Sequence, residues 1–402
     1  MVRQARRALS NGAAALRHIW LPPERLRVGP FREGAFRSRL HQERVGAWLG
    51  IALGIAFGVC FITGVLSHLI QHPPSWFRWP PRPAGLYRVT QGVHVATGIA
   101  SIPLLLAKLW AVYPHLWRWP PFRSPAHLLE RVSLVPLVAG SVFLLVSGVI
   151  NITTWYPWSF FFPSAHFWTA WITVGALVVH IGAKASETRR ALTVREPEPP
   201  SDEGGLSRRA FLGAAGVAVG ALAVTTVGQT VSPLRSLASL APRRPDVGPQ
   251  GFPVNRTARG ARVVGRATDP GYRLRVEGAV RAPLALSLDD LRRMPSSEAT
   301  LPIACVDGWS ANERWRGIPL RQLLELAGTT PGAEVLVESL QPTGLYRTSI
   351  VNAAQAADPA TLLALEVNGE PLHIDHGFPV RLIGPNRPGV MQTKWVGRLL
   401  VR

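Results

Sequence analysis

The chain has 402 residues, 44 Lys and Arg against 24 Asp and Glu, a net charge of +20 and two cysteines. This length predicts two or three domains. Charged residues make up 17% of the chain and apolar residues 47%, whereas soluble domains are about 25% charged, so the composition indicates membrane segments. Only Cys60 and Cys305 are present, which excludes a disulfide scaffold, a Cys-rich zinc site and an iron–sulfur cluster held by this chain alone.

The positive charge is unevenly distributed. Residues 1–250 hold 26 Lys and Arg against 10 Asp and Glu, and residues 251–402 hold 18 against 14. The excess therefore lies in the half with the long apolar runs, and no nucleic-acid recognition motif accompanies it. We expect it to orient membrane helices, because Lys and Arg favour the cytoplasmic side, and we expect no nucleic-acid partner.

Five apolar segments predict membrane-spanning helices, since about 20 residues cross a bilayer. They cover residues 45–70, 87–113, 130–152, 163–183 and the less hydrophobic 210–231. With the N-terminus in the cytoplasm, the inner segments hold 19 Lys and Arg and the outer segments three. This bias predicts a cytoplasmic N-terminus, and residues 232–402 outside the cytoplasm.

Two histidines of the fourth segment, His166 and His180, predict haem ligation. Their 14-residue separation is about 21 Å along a helix and returns them to within about 40° of one face. Two stacked haems would each need a second axial ligand from another helix. By depth, His94 matches His166 and His41 matches His180, with His68 as the rival of His94. The alternative is a set of interfacial histidines that only form hydrogen bonds.

Residues 37–184 resemble the four-helix cytochrome b subunits of the cytochrome b561, formate dehydrogenase and nickel–iron hydrogenase group. In that family one histidine comes from the first helix, one from the second and two spaced by 14 from the fourth. His41, His94, His166 and His180 match this arrangement. The resemblance implies one or two haem b groups, and His41 departs from it by preceding the apolar run.

Residues 207–212 read S-R-R-A-F-L and precede a mildly apolar stretch. This resembles the twin-arginine export signal, which implies export of the following domain in a folded, cofactor-loaded state. The signal is usually N-terminal. Because here it follows four spans, we expect it to remain as a membrane anchor, with cleavage near residues 238–241 left open.

Residues 232–250 are rich in Pro, Arg and Ser and predict a linker. Beyond them, residues 251–402 predict a compact α+β domain with strands over 272–278, 335–340 and 380–383 and short helices over 286–294 and 320–327. Cys305 has three possible roles. It could be a buried core residue, a nucleophile with His373 or His376 as base, or a single thiolate metal ligand whose remaining ligands come from a cofactor.

A set of ordered segments makes residues 251–402 similar to the molybdopterin domain of the sulfite oxidase family, in the style of periplasmic methionine sulfoxide reductases. The segments are C-V-D-G-W at 305–309, W-R-G-I-P-L at 315–320, V-N-G-E-P-L at 367–372, H-G-F-P-V-R-L at 376–382 and G-V-M-Q-T-K-W at 389–395. The resemblance implies a mixed α+β fold and Cys305 as the thiolate ligand of molybdenum. It implies that Arg381 and Lys394 hold the pterin phosphate. The remaining contacts that it implies are His376, Gln392, Thr393, Ser339 and Asn255.

Together these patterns predict a membrane α-helical bundle of four helices plus a fifth signal-anchor helix, followed by a molybdopterin domain. The predicted divisions are 1–40, 41–185, 186–209, 210–231, 232–250 and 251–402. We expect a prokaryotic membrane enzyme that exchanges electrons with the quinone pool through haem b and reduces a sulfoxide-type substrate. The alternatives are a sulfite-type oxidase passing electrons inward and a membrane cytochrome with a cofactor-free binding domain.

Overall fold

The computed structural model describes residues 22–32, 35–36, 38–120, 124–155, 157–160, 162–194 and 206–402. Most of the predicted N-terminal segment 1–40 and residues 195–205 of the predicted segment 186–209 lie outside the described residues. The chain forms two compact units, described separately below. The helical unit comprises the described residues of Met1–Phe61, Thr97–Gly148 and Ser159–Leu222. The sheet unit comprises Ile62–Ala96, the described residues of Val149–Trp158, and Ala223–Arg402.

In the part of the chain that the structure describes, five long helices correspond to the five predicted spans. They are α1 (Glu43–Gln71), α2 (Leu86–Val112), α3 (Pro125–Thr153), α4 (Phe162–Thr193) and α5 (Arg208–Val227). Their segments are long and apolar enough to cross a membrane. His166 and His180 both lie on α4, as predicted. His41 lies in a 3₁₀ turn, Arg39–His41, ahead of α1.

The helices expose large apolar side chains instead of burying them. Ile55, Leu106, Val135 and Val178 are 63%, 64%, 67% and 64% exposed. Such a surface is costly in water and favourable in lipid, because transfer of apolar groups out of water drives burial. The helices therefore have the surface of membrane helices, in agreement with the predicted membrane location.

Short helices and ten strands form the carboxy-terminal part of the sheet unit. The helices are α6 (Val264–Ala267), α7 (Leu288–Arg293), α8 (Leu320–Leu326) and α9 (Ala353–Ala357). The strands are β1 (Arg273–Gly278), β2 (Leu284–Ser287), β3 (Ser297–Ala304), β4 (Ser310–Pro319), β5 (Val335–Ser339), β6 (Thr348–Val351), β7 (Leu362–Val367), β8 (Glu370–Pro371), β9 (Arg381–Ile383) and β10 (Val396–Val401).

The strands form two five-stranded sheets. The first has the order β2-β1-β10-β5-β6, in which β1 and β10 are parallel and the other pairs antiparallel. The second has the order β3-β4-β7-β8, with β9 paired to β7. This is the mixed α+β domain that the sequence predicts, and the predicted strands over 272–278, 335–340 and 380–383 are confirmed.

One predicted element was wrong in part. The sequence predicts a helix over Leu286–Met294, but Leu286 pairs with Leu274 in β2 and the helix begins at Leu288. Ser287 ends the strand and caps the helix, because its side chain accepts from the Asp290 N–H while Asp290 accepts from the Ser287 N–H. Because the strand and the helix meet at one residue, their apolar residues look like one continuous helical pattern in the sequence.

Each sheet has its own apolar core. The first sheet packs on fully buried side chains that include Leu274, Ile318 and Leu399. The second core contains Phe252, Trp315 and Cys305. Cys305 is therefore part of a packed wall and does not lie on a loose loop, which limits its movement and its access to water.

Candidate active site

The turn between β3 and β4 carries Cys305 at 5% exposure. The Cys305 N–H donates to Trp309 O (2.9 Å), and the Gly308 N–H donates to Cys305 O (3.1 Å). Gly308 has φ +89°, a backbone conformation that favours glycine. We call residues 305–309 the cysteine turn. Its closed hydrogen bonding fixes the direction of the thiol.

The Cys305 thiol lies in a polar cluster with Asn255 and Asp307. Asn255 Nδ2 donates to Cys305 Sγ (2.8 Å) and to Asp307 Oδ2 (2.6 Å), and Trp309 Nε1 donates to Asn255 Oδ1 (3.2 Å). Burial, with the nearby Asp307 charge, raises the pKa of Cys305 well above its ordinary value. Burial also raises the pKa of Asp307. A thiolate at this position therefore requires a positive partner, and a metal ion supplies one.

His376, a candidate base in the nucleophile hypothesis, has other contacts. Its Nε2 lies 2.7 Å from Pro249 O, and its ring stacks on Phe252 with centroids 3.7 Å apart. Burial, with Arg381 nearby, lowers its pKa to about 3, so the imidazole is neutral at physiological pH. His373 Nδ1 accepts from the Asp375 N–H. These contacts, with the raised pKa of Cys305, disfavour an activated thiol nucleophile.

Two arginines of the domain are buried. Arg381 and Arg387 are 4% and 2% exposed, and burial lowers their pKa to about 9 and about 10. Arg381 Nη1 donates to His376 O (3.0 Å), and its Cζ lies 5.3 Å from the centroid of the Trp315 ring. Burying an unpaired cation costs on the order of several kcal/mol. A bound anion would offset this cost.

Lys394 lies close to Arg381 in the fold, although 13 positions separate them in the chain. Its Nζ donates to Arg256 O (2.8 Å) and Asp375 O (2.7 Å), and burial, with Arg381 nearby, lowers its pKa to about 7. A Cβ on Gly377, at φ +117°, would lie 3.1 Å from Arg381 Cβ and 3.2 Å from Lys394 Cβ. The glycine permits this close approach.

Several buried polar atoms support the fit of an anionic, hydrogen-bonding cofactor. In residues 251–402, the buried side-chain atoms without a hydrogen-bond partner are Ser310 Oγ, Thr361 Oγ1, Arg381 Nε, Arg387 Nε and Gln392 Oε1. Native proteins satisfy nearly all buried polar groups, so unpaired donors and acceptors beside buried cations favour a missing ligand. With one thiol and two predicted phosphate-binding cations, the residues present fit a metal-carrying pterin.

The other predicted contacts occupy supporting positions. Thr393 Oγ1 lies 2.7 Å from Ser349 Oγ, and Ser339 Oγ donates to Lys394 O (2.8 Å). Ser339 thus fixes the backbone of Lys394, and Thr393 O accepts from the Leu382 N–H (2.8 Å), which joins the Lys394 segment to β9. Ser339 on β5, Thr393 and Lys394 are therefore joined to one another and to β9.

Sequence reasoning missed Asp307, which lies two positions after the thiol and shares the Asn255 amide with it. Arg387 was missed too, and its Nη1 and Nη2 donate to Ile350 O and Met391 O. Tyr346 is 36% exposed, and burial, with the Cys305 and Asp307 charges, raises its pKa. Nothing in the sequence around Tyr346 indicates this effect.

Two of the predicted haem ligands share one local geometry. His94 Nδ1 lies 3.4 Å from Thr63 Oγ1, and a Cβ on Gly64 would lie 2.9 Å from His94 Cε1. In the helical unit, His166 Nδ1 lies 2.8 Å from Ser147 Oγ, and the Cβ position of Gly148 is 4.0 Å from His166 Cε1. In each case a hydroxyl lies beside Nδ1 and a glycine lies beside the ring. Only at His94 does the glycine make room for the imidazole, because the 4.0 Å at His166 is an ordinary contact distance.

The remaining candidates differ from these two. His41 Nδ1 lies 3.2 Å from Ala111 O, and its ring contacts Trp110 with centroids 4.7 Å apart. His180 Nδ1 is buried and has no hydrogen-bond partner among the described residues. The ring of His68 stacks on His72, with centroids 4.7 Å apart. Of the rivals for the outer haem, His94 therefore has the hydroxyl-and-glycine setting.

Comparison with known proteins supports the expected domain. Residues 262–402 match the family model of the oxidoreductase molybdopterin-binding domain. Rat mitochondrial sulfite oxidase is 37% identical over 157 residues, covering 32% of this chain and 29% of the relative. A YedZ1 chain of Azospira oryzae, named as a protein-methionine-sulfoxide reductase subunit, is 34% identical over 130 residues, covering 32% of this chain and 48% of the relative.

One solved structure is also similar. The sulfane dehydrogenase SoxCD of Paracoccus pantotrophus is 29% identical, covering 34% of this chain and 40% of that one, with a TM-score of 0.31. The present chain spans less than a third of rat sulfite oxidase and about half of the YedZ1 chain. The family match and the curated relatives support a sulfite oxidase-type molybdopterin-binding domain and, with it, a molybdenum-dependent oxidoreductase.

Proposed function

We propose that the protein is a membrane-anchored, molybdopterin-dependent oxidoreductase that reduces an oxidised substrate such as a sulfoxide. Its metal centre lies outside the cytoplasm and exchanges electrons with the quinone pool through haem b. The observation that carries the proposal is the buried Cys305 thiol inside the matched domain, accompanied by buried cations that favour a bound anion.

The residues of the domain hold and orient the proposed cofactor. Cys305 is the proposed thiolate ligand of molybdenum, and Asn255 donates to its sulfur, which stabilises negative charge there. Arg381 and Lys394 bind the pterin phosphate, and His376 remains neutral beside them. Gln392 and Thr393 flank the same pocket. The bound molybdenum cofactor supplies two-electron oxygen-atom chemistry.

The haem ligands are part of the proposal, with His94 and His166 as the outer pair and His41 and His180 as the inner pair. The hydroxyls beside His94 and His166 support the outer pair, because metal-bound histidines usually have their second ring nitrogen held by a partner. The inner pair rests on the sequence pattern alone.

The membrane arrangement is proposed from charge and motif. The N-terminus is cytoplasmic, α1–α5 contact lipid in a prokaryotic cell membrane, and the twin-arginine machinery exports the domain. Ser207 caps α5, since its Oγ accepts from the Ala210 N–H (3.1 Å), so the two arginines begin the helix. This position is compatible with a signal that is retained as an anchor.

The decisive experiment measures composition and turnover of the protein purified in detergent. We expect molybdenum, pterin and a haem b spectrum, and faster turnover with a quinol plus sulfoxides than with sulfite plus an electron acceptor. Exported protein that contains no molybdenum would refute the proposed enzyme activity. Replacement of His94 or His166 by Ala should remove one haem, whereas loss of that haem only in His68→Ala would assign the ligand to His68.

Sulfite-type oxidation, with electrons passing inward, is the second candidate. It is favoured by the mitochondrial sulfite oxidases among the relatives. The same assay separates the two directions, because faster reduction of the haem by sulfite than reoxidation by sulfoxides would establish the oxidase.

A further inference from the structure

The loop between α1 and α2 contacts the domain that carries the cysteine turn, and all these residues belong to the sheet unit. Asn386 is the centre of the contact, at 2% exposure. Its N–H donates to Ala84 O (2.8 Å), its Nδ2 donates to Pro80 O (2.6 Å), and its Oδ1 accepts from the Tyr87 N–H (2.7 Å). One buried side chain and its backbone thus hold the loop at three points.

Further contacts of the same loop surround Asn386. Trp79 Nε1 donates to Asn386 O (2.9 Å), and Asn352 Nδ2 donates to Trp79 O (3.1 Å). Arg82 donates through Nε and Nη2 to the two carboxylate oxygens of Asp358 (2.9 and 3.0 Å). The Asp358 side chain is only 7% exposed, and a bidentate pair of this kind is stronger and more specific than a single surface contact.

The start of α2 continues this surface as far as the cysteine turn. Gln91 Nε2 donates to Val306 O (3.0 Å), and Gln91 Oε1 accepts from Ser67 Oγ (3.1 Å). One helical turn later, the methyl carbons of Val95 lie 3.1 Å from the position that a Cβ on Gly308 would take. The turn therefore lies directly on α2, and a side chain at position 308 would separate them.

We propose that residues 79–95, the docking segment, hold the molybdopterin domain in one fixed position with the cysteine turn on Gln91 and Val95. His94 lies between these two residues, and helix positions three apart are neighbours at about 5–6 Å between Cβ atoms. The part of this inference that concerns electron transfer rests on the proposed function. In that case the domain exchanges electrons with the His94 side while docked, and does not have to diffuse on a flexible tether.

The docking is tested with the full chain in its membrane. A protease site is inserted between Asp246 and Val247, both exposed, and the linker is cut after folding and export. We expect the cut domain to remain on the membrane. Arg82→Glu places like charge against Asp358, and we expect at least about tenfold more released domain, the change that 1.4 kcal/mol makes in an equilibrium constant.

Arg78→Glu is the matched control on the same loop. Its partner Glu334 is 3.9 Å away, and the two side chains are 62% and 39% exposed, so this pair contributes little and retention should remain at the wild-type value. Asn386→Ala should release the domain as well, but this change could also unfold the domain. Arg82 lies outside the domain, so Arg82→Glu tests docking without changing a residue of the domain. Equal release of the wild-type and Arg82→Glu domains after cutting would overturn the proposal.

A second measurement addresses electron transfer. In uncut Arg82→Glu protein, substrate-driven reoxidation of reduced haem should slow at least several-fold while the haem spectrum and molybdenum content stay at wild-type values. The contradicting result is a variant that releases its cut domain but reoxidises its haem at the wild-type rate. Docking would then not limit electron exchange, and the electron-transfer part of the proposal would be overturned. The retention assay needs neither cofactor, so its outcome stands even if the proposed enzyme activity is refuted.

Discussion

Lys184 in the helical unit and two arginines in the molybdopterin domain differ in how their charge is held. In the helical unit Lys184 binds Glu130 (2.6 Å) and Glu187 (2.9 Å), so its charge has carboxylate partners. In the molybdopterin domain Arg381 and Arg387 are more deeply buried, burial lowers the pKa of both, and their guanidinium groups donate to backbone carbonyls. The exposed apolar surface of the helices is favourable if, as we propose, they contact lipid. The domain tolerates buried positive charge because, as we propose, its partner is an anionic cofactor.

The largest effect is expected from Cys305→Ala. If the thiolate is the protein's metal ligand, turnover should fall to background while the haem spectrum stays unchanged. The assay compares quinol-dependent sulfoxide reduction and the haem spectrum in the same preparation. Cys60→Ala is the control, because Cys60 lies on α1 in the helical unit. Full activity in Cys305→Ala would refute the ligand role.

The contrast in charge is tested by Arg381→Met against Lys184→Met. Removing a buried cation that has no acidic partner should leave the cofactor-free domain as stable or more stable, yet weaken cofactor retention by about 10²-fold, as loss of a buried charged contact costs about 2–5 kcal/mol. Lys184→Met instead leaves Glu130 unpaired and should destabilise the helical unit. Thermal unfolding and pterin content measure both. Equal destabilisation by the two changes would show that the carboxylate partners of Lys184 do not distinguish it from Arg381.

A smaller effect is expected from the hydroxyls beside the predicted haem ligands. Ser147→Ala and Thr63→Val remove the partner of Nδ1 but keep the imidazole, and loss of such a partner typically weakens metal binding about 10- to 100-fold. We expect weaker haem retention in a competition assay with apomyoglobin. The control is Thr173→Val, which removes a hydroxyl that donates to Thr169 O on α4. Haem retention that equals the wild type in Ser147→Ala would argue against His166 as a ligand.

The smallest effect is a pH dependence set by Lys394. Burial lowers its pKa to about 7 in the folded, cofactor-free domain, whereas the unfolded chain keeps the proton to about pH 10.4. The stability of that domain should therefore rise with pH between these values. Anion binding needs the ammonium, so pyrophosphate affinity, measured by calorimetry, should fall up to about tenfold per pH unit above pH 7. Lys394→Arg should flatten this dependence, and a flat wild-type profile would contradict it.

Much of the fold could be predicted because its signals are local. Apolar runs of about 20 residues determined the five helices, and a period of two residues determined β1. The boundary between β2 and α7 could not be predicted, since Ser287 ends one element and caps the next. Local propensity does not decide which of two compatible structures a short apolar run adopts.

The candidate site divides in the same way. The sequence nominated Cys305, Arg381 and Lys394 through its ordered set of segments that resembles the sulfite oxidase family. Only the tertiary structure placed Asn255 on the thiol and Gln91 against Val306. These contacts join residues 50 to 215 positions apart in the chain. Their physical cause is the packing of distant elements, which no local pattern encodes.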